Sequence, residues 1–352
     1  MDSVDVLAPS PGKGFPVRYG VAKKLAWHLP VALNPGIAKV RIDKTYDLLF
    51  MICGSPVDLL TLNGIAHWRK LAKTSICLVD ELWVKELPAY RYFLENLAMF
   101  DFIMMYYSQS VKPVQEVLRR PCCFLPPGVD SIAFCPYPAQ PARVVDVYSI
   151  GRRSSATHQE LLRLAQGGKI FYVYDSILGG TAINWRDHRS LLANVAKRSR
   201  YFLVNPALVD QSEIRGSQNE SGNRFFEGCA AGAIMIGEAP DNAEFARLFD
   251  WPDALLAVPY GSTDMGRVME AMNGEPDRQA MIRRNNVLQA LTRHDWAYRW
   301  ETLLKLAGLP ALRGLVARKE RLKGLIQDIS AASGFGPSAP ASPGSVLAEY
   351  TA

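Results

Sequence analysis

Two stretches of this sequence hold residue types at spacings suited to chemistry. The first, Asn219 to Ile236, reads Asn-Glu-Ser-Gly-Asn-Arg-Phe-Phe-Glu-Gly-Cys-Ala-Ala-Gly-Ala-Ile-Met-Ile. It follows the apolar run Tyr201 to Val204 and a polar loop, and its small residues Gly228, Ala230, Ala231 and Gly232 lead into a further apolar run. The implied order is strand, loop, helix, strand. A helix opening near Asn223 at the carboxyl edge of a parallel sheet presents free backbone N–H groups and a positive dipole end, the setting in which a phosphate is best held. Arg224 adds a full charge there. Glu227, one turn inside, can accept hydrogen bonds from vicinal hydroxyls such as those of a ribose, or can pair with Arg224 at i, i+3; the spacing serves both. The second stretch, Val144 to Arg153, is Val-Val-Asp-Val-Tyr-Ser-Ile-Gly-Arg-Arg. An apolar strand ends there in Gly151, which permits close backbone approach, and Arg152 and Arg153 follow with planar forks matched to phosphate oxygens. At one edge of one sheet, the two stretches together point to a pyrophosphate site.

The elements that must position these residues alternate along the chain. Runs rich in Val, Ile, Tyr and Phe predict strands over Tyr46–Cys53, Ser75–Val79, Phe100–Tyr107, Val144–Ile150, Lys169–Tyr174, Tyr201–Val204 and Ala233–Ile236. Helical spacing lies between them, over Asp58–Ala72, Val111–Arg119, Thr157–Ala165, Ser190–Arg198, Asn223–Ala231 and Asn242–Phe249. This alternation predicts an α/β protein with parallel sheets covered on both faces. Pro126-Pro127-Gly128-Val129-Asp130 and the proline-rich segment Cys135–Pro141 can be neither helix nor central strand, which divides the chain. The expected organisation is a first Rossmann-like domain over 1–130, a linker over 131–141 and a second Rossmann-like domain over 142–290. Helices over 291–330 are expected to return to the first domain, and a tail over 331–352 is dominated by Ala, Ser, Gly and Pro.

Composition limits the alternatives. A chain of 352 residues that is 49% hydrophobic and 21% charged is long enough for two cores and ordinary for a globular protein. Forty Lys and Arg against 34 Asp and Glu give +6, mild for this size, and the basic clusters lack interleaved aromatics, so a nucleic-acid track is not expected. No apolar run approaches the roughly 18 residues that span a bilayer, and the opening Met-Asp-Ser-Val-Asp has no signal-peptide character, so a cytoplasmic protein is expected. Six cysteines without C-x-x-C spacing predict reduced thiols, with neither a zinc site nor disulfides. The basic helix over 312–329 could lie on an anionic membrane surface or be a terminal helix with a solvated face. Nothing fixes the oligomeric state. Ser10–Gly14 has the look of a phosphate loop without the Gly-Lys-Ser/Thr ending and is expected to be a first β-α turn.

In these motifs the sequence resembles the two-Rossmann (GT-B) nucleotide-sugar-dependent glycosyltransferases of the retaining group. Phe226-Glu227-Gly228-Cys229-Ala230-Ala231-Gly232-Ala233-Ile234-Met235-Ile236 is similar to the family's L-E-A-x-A-x-G-x-P-V-I, with Ile234 in place of proline. Gly128-Val129-Asp130 through Phe134-Cys135-Pro136 is similar to G-V-D-x-x-x-F-x-P, and Ile150-Gly151-Arg152 to the strand-Gly-Arg turn. His294-Asp295-Trp296-Ala297-Tyr298-Arg299-Trp300 resembles a helix of the spore-coat-maturation-like branch. The resemblance covers about residues 125–307. It implies a nucleotide diphosphate sugar as donor, a hydroxyl-bearing acceptor and no required cofactor or metal. It assigns Glu227 to the donor ribose and Gly151, Arg152 and neighbouring amides to the pyrophosphate, with Arg153 or Arg224 standing where a lysine usually lies. The family's first glutamate falls at Asn219, with Glu220 one place late; with Asn223 these complete the expected donor contacts. Arg152 and Arg224 are the expected catalytic cations. On the acceptor side, Asp80 and Glu81 follow a strand directly and are the preferred pair, ahead of His28 and His67, with carboxylates at a helix N-terminus as the equal alternative; Tyr106, Tyr107 and Ser108 either line an acceptor or pack beneath the linker. A nucleotide-sugar epimerase and a catalytically silent binding partner on the same architecture are the alternatives.

Overall fold

In a computed structural model that describes residues 4–29, 33–176 and 183–332, the strands form two parallel sheets. The first holds β1 (Tyr46–Cys53), β2 (Ala72–Val79), β3 (Phe102–Met105) and β4 (Cys122–Phe124) in the order β1-β2-β3-β4. The second holds β5 (Val145–Ser149), β6 (Tyr172–Tyr174), β7 (Ser199–Val204), β8 (Ile234–Gly237) and β9 (Leu256–Ala257) in the order β6-β5-β7-β8-β9. Val147 stands opposite Tyr172 on one side and Tyr201 on the other, and Leu203 stands opposite Ile236. The winding therefore reverses between β5 and β7, and in open α/β sheets the carboxyl ends of the strands at such a reversal border the binding crevice.

Helices α1 (Phe15–Ala26), α2 (Arg91–Leu97) and α3 (Val111–Leu118) belong to the first half, and the single turn α4 (Ser131–Phe134) follows it. The second half carries α5 (Ser155–Gln166), α6 (Trp185–Lys197), α7 (Ser212–Arg215), α8 (Asn223–Ala230), α9 (Ala243–Leu248), α10 (Met265–Asn273) and α11 (Pro276–Gln289). The chain closes with α12 (Trp296–Leu306) and α13 (Arg313–Ala332). Side-chain caps start several of them: the Asn184 carboxamide accepts from the N–H of Arg186 at 2.9 Å, and the Asp295 carboxylate from that of Ala297 at 2.8 Å.

Several expectations need correction. The helix expected over Asp58–Ala72 is two 3-10 segments, Pro56–Gly64 and Trp68–Lys70, and β2 already begins at Ala72. Gly64 and the left-handed His67 (φ 53°) interrupt any longer helix. The linker is not free of helix, because the Asp130 side chain accepts from the N–H of Ala133 at 3.1 Å and caps α4. No strand precedes α1 among the described residues, so Ser10–Gly14 is no β-α turn; Gly14 takes a left-handed conformation and begins α1 directly. The expected tail lies outside the described residues from 333 onward.

Helix α12 packs on the first sheet although it follows the second in sequence. The Trp300 ring lies 5.3 Å from that of Phe50, the Trp296 ring 6.5 Å from that of Tyr106, and Leu303 is buried in one cluster with Ile76, Leu78 and Met104. Its other face, with Ala297 and Leu304, is buried against Leu315, Leu322 and Ile329 of α13. Burying side chains of this size is worth about 1.5–3 kcal/mol each. The path out and the path back run side by side: the Val129 N–H donates to the His294 carbonyl at 2.9 Å, and the Trp296 N–H to the Val129 carbonyl at 3.2 Å. The Arg299 guanidinium, buried, donates to the carbonyls of Pro126 and Pro127. Gly128 has to be a glycine at this junction, since a Cβ there would lie 2.8 Å from the Trp296 ring.

Three cations of α13 are paired with carboxylates. Arg318 pairs with Asp130 and Asp295, Lys319 with Glu301 and Lys323 with Glu320, while the apolar side of the helix is covered. No helix among the described residues is long and apolar enough to cross a membrane. All six cysteines are free thiols, five of them buried.

Candidate active site

The two stretches singled out in the sequence meet at the carboxyl edge of the second sheet. Gly151 follows β5 with φ +86°, a conformation that disfavours a side chain, and a Cβ built on it would lie 3.9 Å from Nε of Arg224. Its N–H donates to the Asp175 carboxylate at 3.1 Å, which fixes the turn from the end of β6. Helix α8 begins beside it at Gly222, with no side-chain cap on its first turn and with Asn223 exposed. The uncapped first turn of α8 and Arg224, which is paired with Glu227, therefore stand at this edge beside Gly151. Arg152 completes this edge: its side chain is 46% exposed and stands 3.5 Å from the Asp210 carboxylate.

Arg153 is elsewhere. Its guanidinium donates to the carboxylate and the carbonyl of Asp175 and lies over the Tyr174 ring, 5.2 Å from the centroid. It thereby holds the turn at the end of β6. Arg152 and Arg224 are the cations beside the Gly151 turn.

Glu227 is buried, with its side chain 3% exposed, and both carboxylate oxygens are engaged: one by Arg224 of the same helix, the other by Arg189 of α6. Pairing with Arg224 was one of the two readings the spacing left open. Arg189 escaped the sequence reading because it falls one residue before the helix expected from Ser190, and only the packing of α6 beside α8 brings it to Glu227. Asn219 donates through its N–H to Gln109 at 2.8 Å, while its side-chain oxygen is buried without a partner.

Glu220 does not point into open space. Its carboxylate accepts from the N–H groups of Ser108 and Gln109, at 3.2 and 2.8 Å, and from the Asn242 side chain at 3.0 Å. Gln218 from the same loop accepts from the Val84 N–H and donates to Ser110. The loop that joins β7 to α8 thus fastens the second sheet to the residues beyond β3, with Glu220 among its fasteners. Burial raises its pKa, against the lowering effect of those hydrogen bonds.

Across the crevice, Asp80 and Glu81 leave the carboxyl end of β2. Burial, with the adjacent Glu81 charge, pushes the Asp80 carboxyl up to about 6. Glu81 accepts from the Trp83 indole at 2.9 Å. Tyr106 and Tyr107 are buried at the end of β3, Tyr107 with its ring 4.4 Å from that of Trp83, so they pack more than they line. Both phenols are raised by burial and by the nearby carboxylate of Asp80, and Arg152 acts on Tyr107 in the opposite direction. Asp80 and Arg152 thus come from different sheets and act on the same phenol. His67 precedes β2 and stands at the opposite edge of the first sheet.

Comparison with known proteins relates part of the chain to a family. Residues 153–305 match the glycosyl transferase-like family. The match covers less than half of the chain, beginning just after the Gly151-Arg152 turn and ending within α12. It includes Arg189, Arg224 and Glu227 and leaves out the whole first sheet. Among solved structures, an α,α-trehalose-phosphate synthase (UDP-forming) from Burkholderia vietnamiensis is similar at 11% identity over 83% of this chain and 78% of that one, with a TM-score of 0.49. An α-glucosyltransferase in complex with UDP-glucose and DNA containing an abasic site is similar at 11% identity over 83% of each chain, with a TM-score of 0.43. The Anabaena protein Alr3699/HepE, in complex with UDP and glucose, is similar at 8% identity over 81% of this chain and all of that one, with a TM-score of 0.39. No curated protein matches the chain in sequence.

Proposed function

We propose that this chain is a glycosyltransferase of the GT-B kind that moves a sugar from a nucleoside diphosphate sugar to a hydroxyl acceptor, with retention and without a metal. The domain over 142–290 holds the donor, and the domain over 1–130, closed by the helices over 291–330, holds the acceptor. One observation carries this reading: the Gly151 turn, Arg152, Arg224 and the uncapped start of α8 converge at the point where the winding of the second sheet reverses. As the bond from the anomeric carbon to the diphosphate breaks, charge accumulates on the leaving oxygens, and Arg152 and Arg224 are already in place to receive it. The acceptor oxygen bonds to that carbon on the face from which the diphosphate departs, as retention requires, while its proton passes to Asp80, whose elevated pKa suits a base working near neutrality. Glu227 reaches the ribose hydroxyls by releasing Arg189, the more exposed of its two partners at 45% against 31% for Arg224.

The commitment of Glu220 to Ser108, Gln109 and Asn242 favours a second reading, a catalytically silent binding partner. An epimerase would differ again by acting with no acceptor present. A thermal-shift panel of nucleoside diphosphates and nucleotide sugars separates these. A ligand that binds the native state raises the melting temperature by linkage, and the proposal requires such a shift, its reduction in Arg224→Ala, and turnover only when an acceptor is supplied. A panel with no shift would leave the silent reading standing.

A further inference from the structure

A second cationic site lies at the opposite edge of the same sheet. A cavity of about 230 Å³ opens there between the linker and α11, with Tyr137, Gln140, Arg143 and Arg283 in its wall. Arg143, two residues before β5, is held rigidly: its guanidinium donates to the carbonyls of Ser199 at 2.6 Å and Ala231 at 3.0 Å. Arg283 of α11 bonds Gln279 at 2.8 Å through one terminal nitrogen, and its buried Nε has no partner. The charged or titratable groups that act on Arg143 are Arg283 and the Tyr137 phenol; those that act on Arg283 are Arg200 and Tyr201. No carboxylate is among them, and Asp146 is taken by Arg200 at 2.9 Å.

We propose that this cavity binds a phosphate-class anion between Arg143 and Arg283, with the Tyr137 hydroxyl as a further donor. Two partly desolvated guanidiniums in the wall of one cavity, with no carboxylate among the groups acting on them, are costly, and burial together with repulsion from Arg283 lowers the pKa of Arg143 to about 10. An anion from solution relieves that cost, and the several oxygens of a tetrahedral oxyanion can accept from those N–H groups of Arg143 and Arg283 that their protein partners leave over. The volume suits inorganic phosphate or the phosphoryl group of a small ester, and is too small for a whole nucleoside diphosphate. The site does not depend on the proposed sugar transfer, because its residues lie at the amino ends of β5, β7 and β8, away from Gly151 and Arg224.

The test is titration calorimetry of the full chain with inorganic phosphate, against chloride at matched ionic strength. Because phosphate can also reach the crevice, Arg152→Ala is measured beside Arg283→Gln. Arg283→Gln is preferred to an Arg143 variant, since Arg143 holds two carbonyls of the fold. We expect phosphate binding to persist in Arg152→Ala and to weaken at least about tenfold in Arg283→Gln, as the loss of a charge-assisted bond implies. A small phosphomonoester titrated in parallel distinguishes the free ion from an ester as the ligand. The proposal is overturned if phosphate binds no better than chloride, or if binding survives Arg283→Gln and disappears in Arg152→Ala.

Discussion

Replacing Asp80 by asparagine keeps the shape of the side chain and removes its charge. In the folded chain this carboxyl titrates at about 6 against an ordinary 3.8, because burial, helped by Glu81, opposes ionisation. A folded pKa raised above the unfolded one means that the native state holds the proton more tightly. The ionised group therefore opposes folding above pH 6, and that opposition fades as pH falls toward 3.8. At 1.36 kcal/mol per pH unit the difference sets an upper bound of about 3 kcal/mol. Part of the carboxylate still meets water, so a gain of about 1–2 kcal/mol for Asp80→Asn at pH 8 is the realistic expectation. At pH 4 it should nearly vanish. Urea denaturation at the two pH values measures both. If Asp80 accepts the acceptor's proton, the same substitution lowers kcat by roughly 10²–10⁴ and removes the rise of wild-type activity through pH 6. A variant no more stable than wild type at pH 8, or equally favoured at pH 4, refutes the desolvation argument; a stabilised variant with intact turnover refutes the catalytic one.

Arg152→Ala and Arg224→Ala should each lower turnover more than affinity for the free nucleoside, because the leaving diphosphate gains charge in the transition state; equal losses in steady-state kinetics and in calorimetry would count against both assignments. Chelation with EDTA should leave activity unchanged, and strict recovery on adding a divalent ion would remove the cationic side chains from their proposed role. Gly128→Ala should destabilise the chain by about 1–3 kcal/mol, since its Cβ would press on the Trp296 ring, and the shift should appear together in denaturant midpoint and tryptophan emission.

The parts of the site legible in the sequence are those in which neighbouring residues act together. Gly151-Arg152 at a strand end and Arg224 in the first turn of a helix are local patterns, and local backbone chemistry brought them where the spacing said. Long-range pairing was not legible. Glu220 carries the polar character of a ligand contact, yet its partners Ser108 and Gln109 lie more than a hundred residues away in sequence. Arg153 and Arg152 are alike in one dimension, and only the position of Asp175 after β6 turns one of them inward. Strands in both sheets stood out as continuous apolar runs, as expected of strands covered on both faces. Helix α1 did not, since Pro16 and a largely exposed surface give it no apolar stripe. Asp80 was found by its place after β2, but its raised pKa depends on burial that no single sequence displays.

The side-by-side paths at Val129 and Asp295 give the molecule an unusual tolerance. The peptide chain joins the two sheets once through the segment around Pro136–Pro141, whereas α12 grips the first sheet through Trp296, Trp300 and Leu303 independently of that segment. A nick near Pro141 would leave two fragments, and the larger would still carry the helix that covers the face of the smaller. Covalent continuity there supplies effective concentration rather than contacts. The hydrogen bonds of Val129 with His294 and Trp296 and the Asp130–Arg318 ion pair join the two sides of such a nick without that peptide bond.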